Sequence, residues 1–364
     1  MPLLWCRVPA KRVTSSTAEQ RILIIGPSWV GDMVMAQSLF MVLKQQYAAR
    51  DQSLQIDVMA PPWSNALLER MPEVSEVIDM PLGHGQLQLK QRYQLGKSLR
   101  SRRYDQAILL PNSLKSALVP FWAKILKRTG YVGEMRYSLL NDVHKLDKEL
   151  LFMTVQRFVA LAGADTDIEQ IPVPALVVKA EDVQAVLSEF KLTQDKPILS
   201  LCPGAEYGPA KQWPARHYAA LAKEKLRQGW QVWIFGSEKD QAIGAEIKQL
   251  LDQQAVNLCG KTQLAQAIDL MSLSKTVVSN DSGLMHMGAA LGVPVVGVYG
   301  SSDPNFTPPL GKQSAVKSLY LSCSPCFKRT CPLGHTDCLE KLSPEMVTEV
   351  LEQLESDLEK GERL

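Results

Sequence analysis

Short apolar runs that stop at glycine or proline alternate along this chain with segments whose apolar positions recur at every third or fourth residue. The first pattern reads as buried strand and the second as helix. In the first half, runs near 21–25, 55–60, 76–79 and 106–110 predict strands. Met35, Leu39, Val42 and Leu43 follow Asp32 at helical spacing and predict a helix with one buried face. Strand signals resume near 198–202, 231–235, 276–279 and 295–299, with helical segments between them. Ser343-Pro344-Glu345 is a helix start, proline early and an acid in the first turn, and Val347, Val350, Leu351, Leu354 and Leu358 form its apolar stripe. Alternation of this kind predicts an α/β protein with doubly wound parallel sheets.

A chain of 364 residues with 46% hydrophobic content is long for one core, so two domains are expected. Gly163-Ala164-Asp165-Thr166-Asp167 followed by Ile171-Pro172-Val173-Pro174 breaks the alternation and reads as a linker. The expected division is a disordered extension over 1–20, a first domain over 21–170 and a second over 171–343. A terminal helix over 344–364 is placed back toward the first domain. Two such domains facing a central cleft would bind ligands at the carboxyl ends of their strands.

The net charge of +2 hides an asymmetry. Residues 1–170 hold 21 basic and 16 acidic side chains, and residues 171–364 hold 19 and 22. Lys90, Arg92, Lys97, Arg100, Arg102 and Arg103 run without an intervening acid. That run reads as a solvated helix face, or as an attraction for an anionic acceptor or membrane surface. No nucleic-acid motif accompanies it. No apolar run approaches the roughly 18 residues that span a bilayer. Leu3-Leu4-Trp5 precedes Arg7, Lys11 and Arg12, a poor signal peptide, so the expected location is cytoplasmic.

Candidate chemistry lies in turns that follow predicted strands. Gly26-Pro27-Ser28-Trp29-Val30-Gly31-Asp32 lacks both the P-loop lysine and the three-glycine dinucleotide fingerprint. Its glycines permit a tight turn and close approach of a ligand. Asp32 there is either a dipole-stabilising carboxylate at a helix start or a general base for a hydroxyl. Pro203 to Pro214 is a long loop with Lys211 just before a helix, a point charge suited to a diphosphate. Glu238, after Phe235-Gly236-Ser237, is either a helix-start glutamate or a partner for ribose hydroxyls. In Asn280-Asp281-Ser282-Gly283-Leu284-Met285-His286, Asp281 or Ser282 can cap a helix and Gly283 lets backbone N–H groups approach an anion. His286 reads as a satisfied structural histidine. Cys323, Cys326, Cys331 and Cys338 cluster beside His335. Their spacing matches no standard zinc ribbon or knuckle, so a reduced-thiol loop is expected ahead of structural zinc. A dinucleotide-dependent oxidoreductase and a non-catalytic nucleotide-binding protein remain rivals for the whole set.

These segments, together with Leu110-Pro111-Asn112-Ser113-Leu114-Lys115-Ser116-Ala117 and Arg128 to Tyr137, resemble those of the bacterial lipopolysaccharide heptosyltransferases, glycosyltransferase family 9. The resemblance runs from Arg21 to the end. It implies a GT-B fold, two Rossmann-like domains with the acceptor in the first and the ADP-sugar in the second. It implies Asp32 as catalytic base, Lys211 at the phosphates, Glu238 near the nucleoside, and Asp281, Ser282 and Gly283 as the donor-binding turn. ADP-heptose is then the donor, the acceptor is a phosphorylated lipopolysaccharide core at the cytoplasmic face of the inner membrane, and no cofactor is required. Pro27-Ser28-Trp29 and the 203–211 loop are similar to members that transfer L-glycero-D-manno-heptose to the first heptose of the inner core with inversion. A sister enzyme acting on another core sugar is the near alternative.

Overall fold

A computed structural model describes residues 19–83 and 85–360, without the side chains of Leu358 and Glu359. The extension expected over 1–20 therefore lies almost wholly outside the described residues. The first domain runs β1 (Gln20–Ile25), α1 (Val30–Ala48), β2 (Leu54–Ala60), α2 (Asn65–Leu68), β3 (Glu76–Asp79), α3 (Leu89–Ser98), β4 (Gln106–Leu109), α4 (Leu114–Trp122), β5 (Lys127–Tyr131), β6 (Asp142–His144) and α5 (Thr154–Val159). The second runs α6 (Ala180–Phe190), β7 (Ile198–Cys202), α7 (Ala215–Arg227), β8 (Gln231–Ile234), α8 (Gln241–Leu250), β9 (Val256–Asn257), α9 (Leu264–Met271), β10 (Thr276–Asn280), α10 (Gly283–Ala290), β11 (Val295–Val298), β12 (Ser314–Lys317), α11 (Asp337–Glu340) and α12 (Pro344–Glu359).

The sheets are ordered β3-β2-β1-β4-β5-β6 and β9-β8-β7-β10-β11-β12, every pairing parallel. Each reverses direction once, between β1 and β4 and between β7 and β10. That reversal opens a crevice at the carboxyl ends of the strands, where ligands of doubly wound folds bind. The central strands carry the apolar runs because both their faces are covered: Ile22, Leu23, Leu199 and Val277 are fully buried. The strands that the pattern did not predict are β5, β6, β9 and β12, which lie toward the sheet edges and carry polar residues.

Helix α1 departs from the expected single buried face. Met33 through Phe40 are all buried, including Gln37 and Ser38. The helix is enclosed because it packs on α5 of its own domain and on α10 of the other. Its buried polar groups are satisfied by the interdomain segment: Ser38 Oγ donates to Pro172 O at 2.7 Å, and Gln37 exchanges bonds of 2.8 and 2.9 Å with Ala175. The same segment donates Leu176 N to Ala290 O and Val177 N to Arg70 O. The expected linker is thus an ordered strap. Arg70 also holds Asp269 of α9 through a two-pronged ion pair at 2.6 and 2.7 Å.

Two further expectations need correction. Helix α12 packs on α7, β11 and β12, with Lys225 Nζ 2.7 Å from Glu355, so it completes the second domain instead of returning toward the first. The basic run is not one solvated face. Arg92 is buried and donates to the carbonyls of Leu87, Gln86 and Lys115; Arg100 donates to Trp122 O; Arg102 pairs with Glu76. Lys90, Lys97 and Arg103 remain exposed.

The amino ends of α1 and α10 meet at glycines. A Cβ on Gly283 would stand 2.6 Å from Val30 Cβ, and one on Gly31 would stand 2.7 Å from the His286 ring. A side chain on Gly283 would have to displace Val30, a β-branched residue at the start of α1. Gly283→Ala is expected to cost about 1–3 kcal/mol through overpacking. Differential scanning calorimetry checks this; an unchanged melting temperature would show that the two helix ends are not held in contact.

Candidate active site

A cavity of about 680 Å³ lies between the domains at the carboxyl ends of both sheets. It collects Asp32 and Trp29 after β1, Lys211 after β7, Asp240 after β8, and Asp281, Ser282, Gly283 and His286 after β10. Turns far apart in sequence reach one space because the two strand-order reversals face each other.

Asp32 sits in the first turn of α1. Its carboxyl is pushed up to about 6, first by burial, against the opposing pull of Lys211, with Asp281 adding a smaller upward push. A carboxylate with that affinity for protons is mostly ionised at neutral pH and can still take up a proton. Among the described residues it has no ion-pair or hydrogen-bond partner that would block it.

Lys211 ends a short turn over Pro209–Lys211 and stands 2.5 Å from Asp281 Oδ2, with its ammonium 5.2 Å from the centre of the Tyr207 ring. The loop that carries it is pinned by Asn280. Asn280 Nδ2 donates to Pro203 O at 2.7 Å, while its Oδ1 accepts from Trp213 N at 3.0 Å and Tyr218 OH at 2.9 Å. Sequence reading passed over Asn280 because a strand-end asparagine has no distinctive pattern. Only the fold shows that it binds both ends of the 203–214 loop.

Ser282 is the N-cap of α10 but makes no capping bond, and Trp29 makes none at α1. The first N–H groups of both helices therefore lack side-chain caps where the helices converge. Two positive dipole ends and Lys211 make this corner electropositive, the kind of site that suits an anion. Val30 presses on Gly283 and leaves no space for a side chain there.

Glu238 is exposed and is not among the residues lining the cavity. The acid presented by this turn is Asp240, whose Oδ2 accepts from Ser237 N at 2.8 Å and Ser237 Oγ at 2.7 Å. His286 is not a satisfied core histidine either. It is buried, its Nδ1 has no hydrogen-bond partner, and burial holds its ring down to about 4, so it is neutral. The four-residue spacing from Ser282 was visible in sequence; the contact with Gly31 was not.

The charge coupling has a testable sign. Lys211 lowers the proton affinity of Asp32, so removing it must raise that affinity. In Lys211→Met the acid limb of the kcat/KM profile, expected near 6 in the parent, should move to higher pH. An unmoved limb with reduced amplitude would mean that the two groups do not share a field.

The model of glycosyltransferase family 9 (heptosyltransferase) matches residues 92–337. Lipopolysaccharide heptosyltransferase 2 of Salmonella typhimurium is 49% identical over 93% of this chain and 99% of its own. Lipooligosaccharide heptosyltransferase 2 of Haemophilus influenzae is 48% identical over 92% and 99%. The solved structure of ADP-heptose lps heptosyltransferase II from E. coli superposes with a TM-score of 0.81 at 44% identity, covering 93% of this chain and all of that one. The two-domain GT-B architecture is therefore shared. With the fold, the interdomain cavity and these likenesses together, the chain belongs to glycosyltransferase family 9, the heptosyltransferases.

Proposed function

We propose that the enzyme transfers L-glycero-D-manno-heptose from ADP-heptose to the first heptose of the lipopolysaccharide inner core, inverting the anomeric configuration. The observation that carries the reading is the meeting of a proton-hungry Asp32 from the first domain with Lys211 and the end of α10 from the second in one cavity. The named relatives act in the same chemistry: Salmonella and Haemophilus enzymes called heptosyltransferase 2 and an E. coli enzyme described with ADP-heptose.

In this mechanism Asp32 accepts the proton of the acceptor 3-hydroxyl as its oxygen attacks the anomeric carbon. ADP departs from the opposite face. Lys211 turns from Asp281 toward the diphosphate, and the uncapped N–H groups at Ser282-Gly283 share the developing charge. Asp240 takes the nucleoside-side role that the sequence assigned to Glu238, because Asp240 faces the cavity. The donor then lies mainly on the second domain and the acceptor on the first. The reaction belongs at the cytoplasmic face of the inner membrane, and no described helix is long and apolar enough to cross a bilayer. Lys97 and Arg103 remain available to an anionic acceptor, whereas Arg100 and Arg102 are engaged internally.

Mass spectrometry of products tests the assignment. Given ADP-heptose and core acceptors bearing zero, one or two heptoses, the enzyme should extend only the second by one heptose. Extension of the heptose-free core instead would identify a sister activity.

Asp32→Asn should lower kcat by about 10²–10⁴-fold while ADP binding persists. Its effect on stability should be opposite. The folded-state pKa of Asp32 lies above its ordinary value, so the charged carboxylate destabilises the fold once the pH exceeds both. Asn should therefore raise the melting temperature at pH 7.5, and the gain should shrink as pH falls from about 6 toward 4. A stable but fully active variant would remove Asp32 from the proton-transfer step.

A further inference from the structure

The late cysteines, taken from their spacing as a reduced-thiol loop, surround a single small cavity in the fold. Cys323, Cys326, Cys331 and Cys338 all line a space of about 20 Å³, room for one water-sized body. His335 also borders the cavity, but its Nδ1 is occupied by the N–H of Asp337 at 2.9 Å. The four thiols are therefore the natural donor set.

We propose that this cluster is a structural site for one soft transition-metal ion, zinc or iron, held by four thiolates. Each thiol releases its proton to solvent as its sulfur–metal bond forms. The sulfurs are not drawn to ligand spacing in this conformation: among the described residues, no group of three His, Cys, Asp or Glu side chains is set to hold an ion. The fold supplies the cavity and the ring of side chains. A change of χ1 well moves a thiol sulfur by about 3 Å, so binding would require the four thiols to turn into the cavity.

The site has a mechanical consequence for the donor loop. Ala210, the neighbour of Lys211, lines the same cavity. Ala210 N donates to Arg329 O at 3.1 Å, and a Cβ on Gly208 would lie 2.5 Å from that oxygen. Tyr207 OH donates to Phe327 O at 2.9 Å, and Arg329 and Lys211 each approach the Tyr207 ring. Phe327 N in turn donates to Ser301 O at 2.7 Å, tying the cysteine loop to the end of β11. The cysteine loop is thus the backing of the turn that aims Lys211. A metal in it would stiffen that turn from behind.

The test uses the full chain, purified without a metal-affinity tag from medium containing zinc and iron. Elemental analysis should find about one zinc or iron per chain. Ellman's reagent should find the four thiols protected until a chelator is added. The double variant Cys326→Ser/Cys331→Ser should lose the metal, with folding verified by circular dichroism. Metal-free parent protein with four freely reacting thiols would overturn the proposal, as would a mass deficit showing disulfides. So would metal content unchanged in the double variant. A second arm, resting on the donor-site reading, measures ADP binding by calorimetry. Loss of the ion should weaken it roughly tenfold, about 1.4 kcal/mol. Metal loss with unchanged ADP binding would overturn the link to Lys211 and leave both the ion site and the donor reading standing.

Discussion

The molecule is organised around the contact between the amino ends of α1 and α10. Val30 presses on Gly283, and the His286 ring presses on Gly31. Only glycine at both positions lets two helices from different domains come this close. The contact sets where the two crevices face each other, and it concentrates two unneutralised dipole ends at one corner of the cavity. Asp32 is one residue beyond this contact, so its burial and its raised proton affinity follow from the same packing.

The charges around that corner form a balanced set. Lys211 lies against Asp281, and Asp32 feels both. In the absence of an anion, Asp281 keeps the ammonium from standing alone in a poorly solvated space. An anion entering the cavity would compete with Asp281 for that ammonium. Asp32, by contrast, has no cationic partner in direct contact among the described residues.

Much of this was legible before the fold was known. Ile22–Ile25 and Val277–Val278 announce central strands because both faces of such strands are buried. Asp32 and Asp281 are marked by their place in turns after those strands, and Lys211 by its place in the long loop after β7. What could not be read is whatever depends on neighbours distant in sequence or on the exact set of a turn. Gln37 and Ser38 look like the polar side of α1 but are buried, with the strap satisfying their polar groups. Asp240 and Glu238 are separated by one residue, and only the turn over Glu238–Asp240 decides which faces the cavity. Lys127-Arg128-Thr129 lacks an apolar run, yet it pairs with β4 as β5 because sheet position outweighs propensity. The basic run gave the right charge but hid the carbonyls that Arg92 and Arg100 bind.

The strap over residues 171–179 also limits how the enzyme can breathe. It is stitched to the first lobe at Ser38, Gln37 and Arg70, and to the second at Ala290. Lobes joined in this way cannot swing about a slack tether. Moving the lobes apart must release the strap from one of them, at Ser38, Gln37 and Arg70 or at Ala290, and must part Arg70 from Asp269. Wholesale separation of the lobes therefore carries the loss of those bonds and of a largely buried ion pair, a toll that a slack tether would not levy.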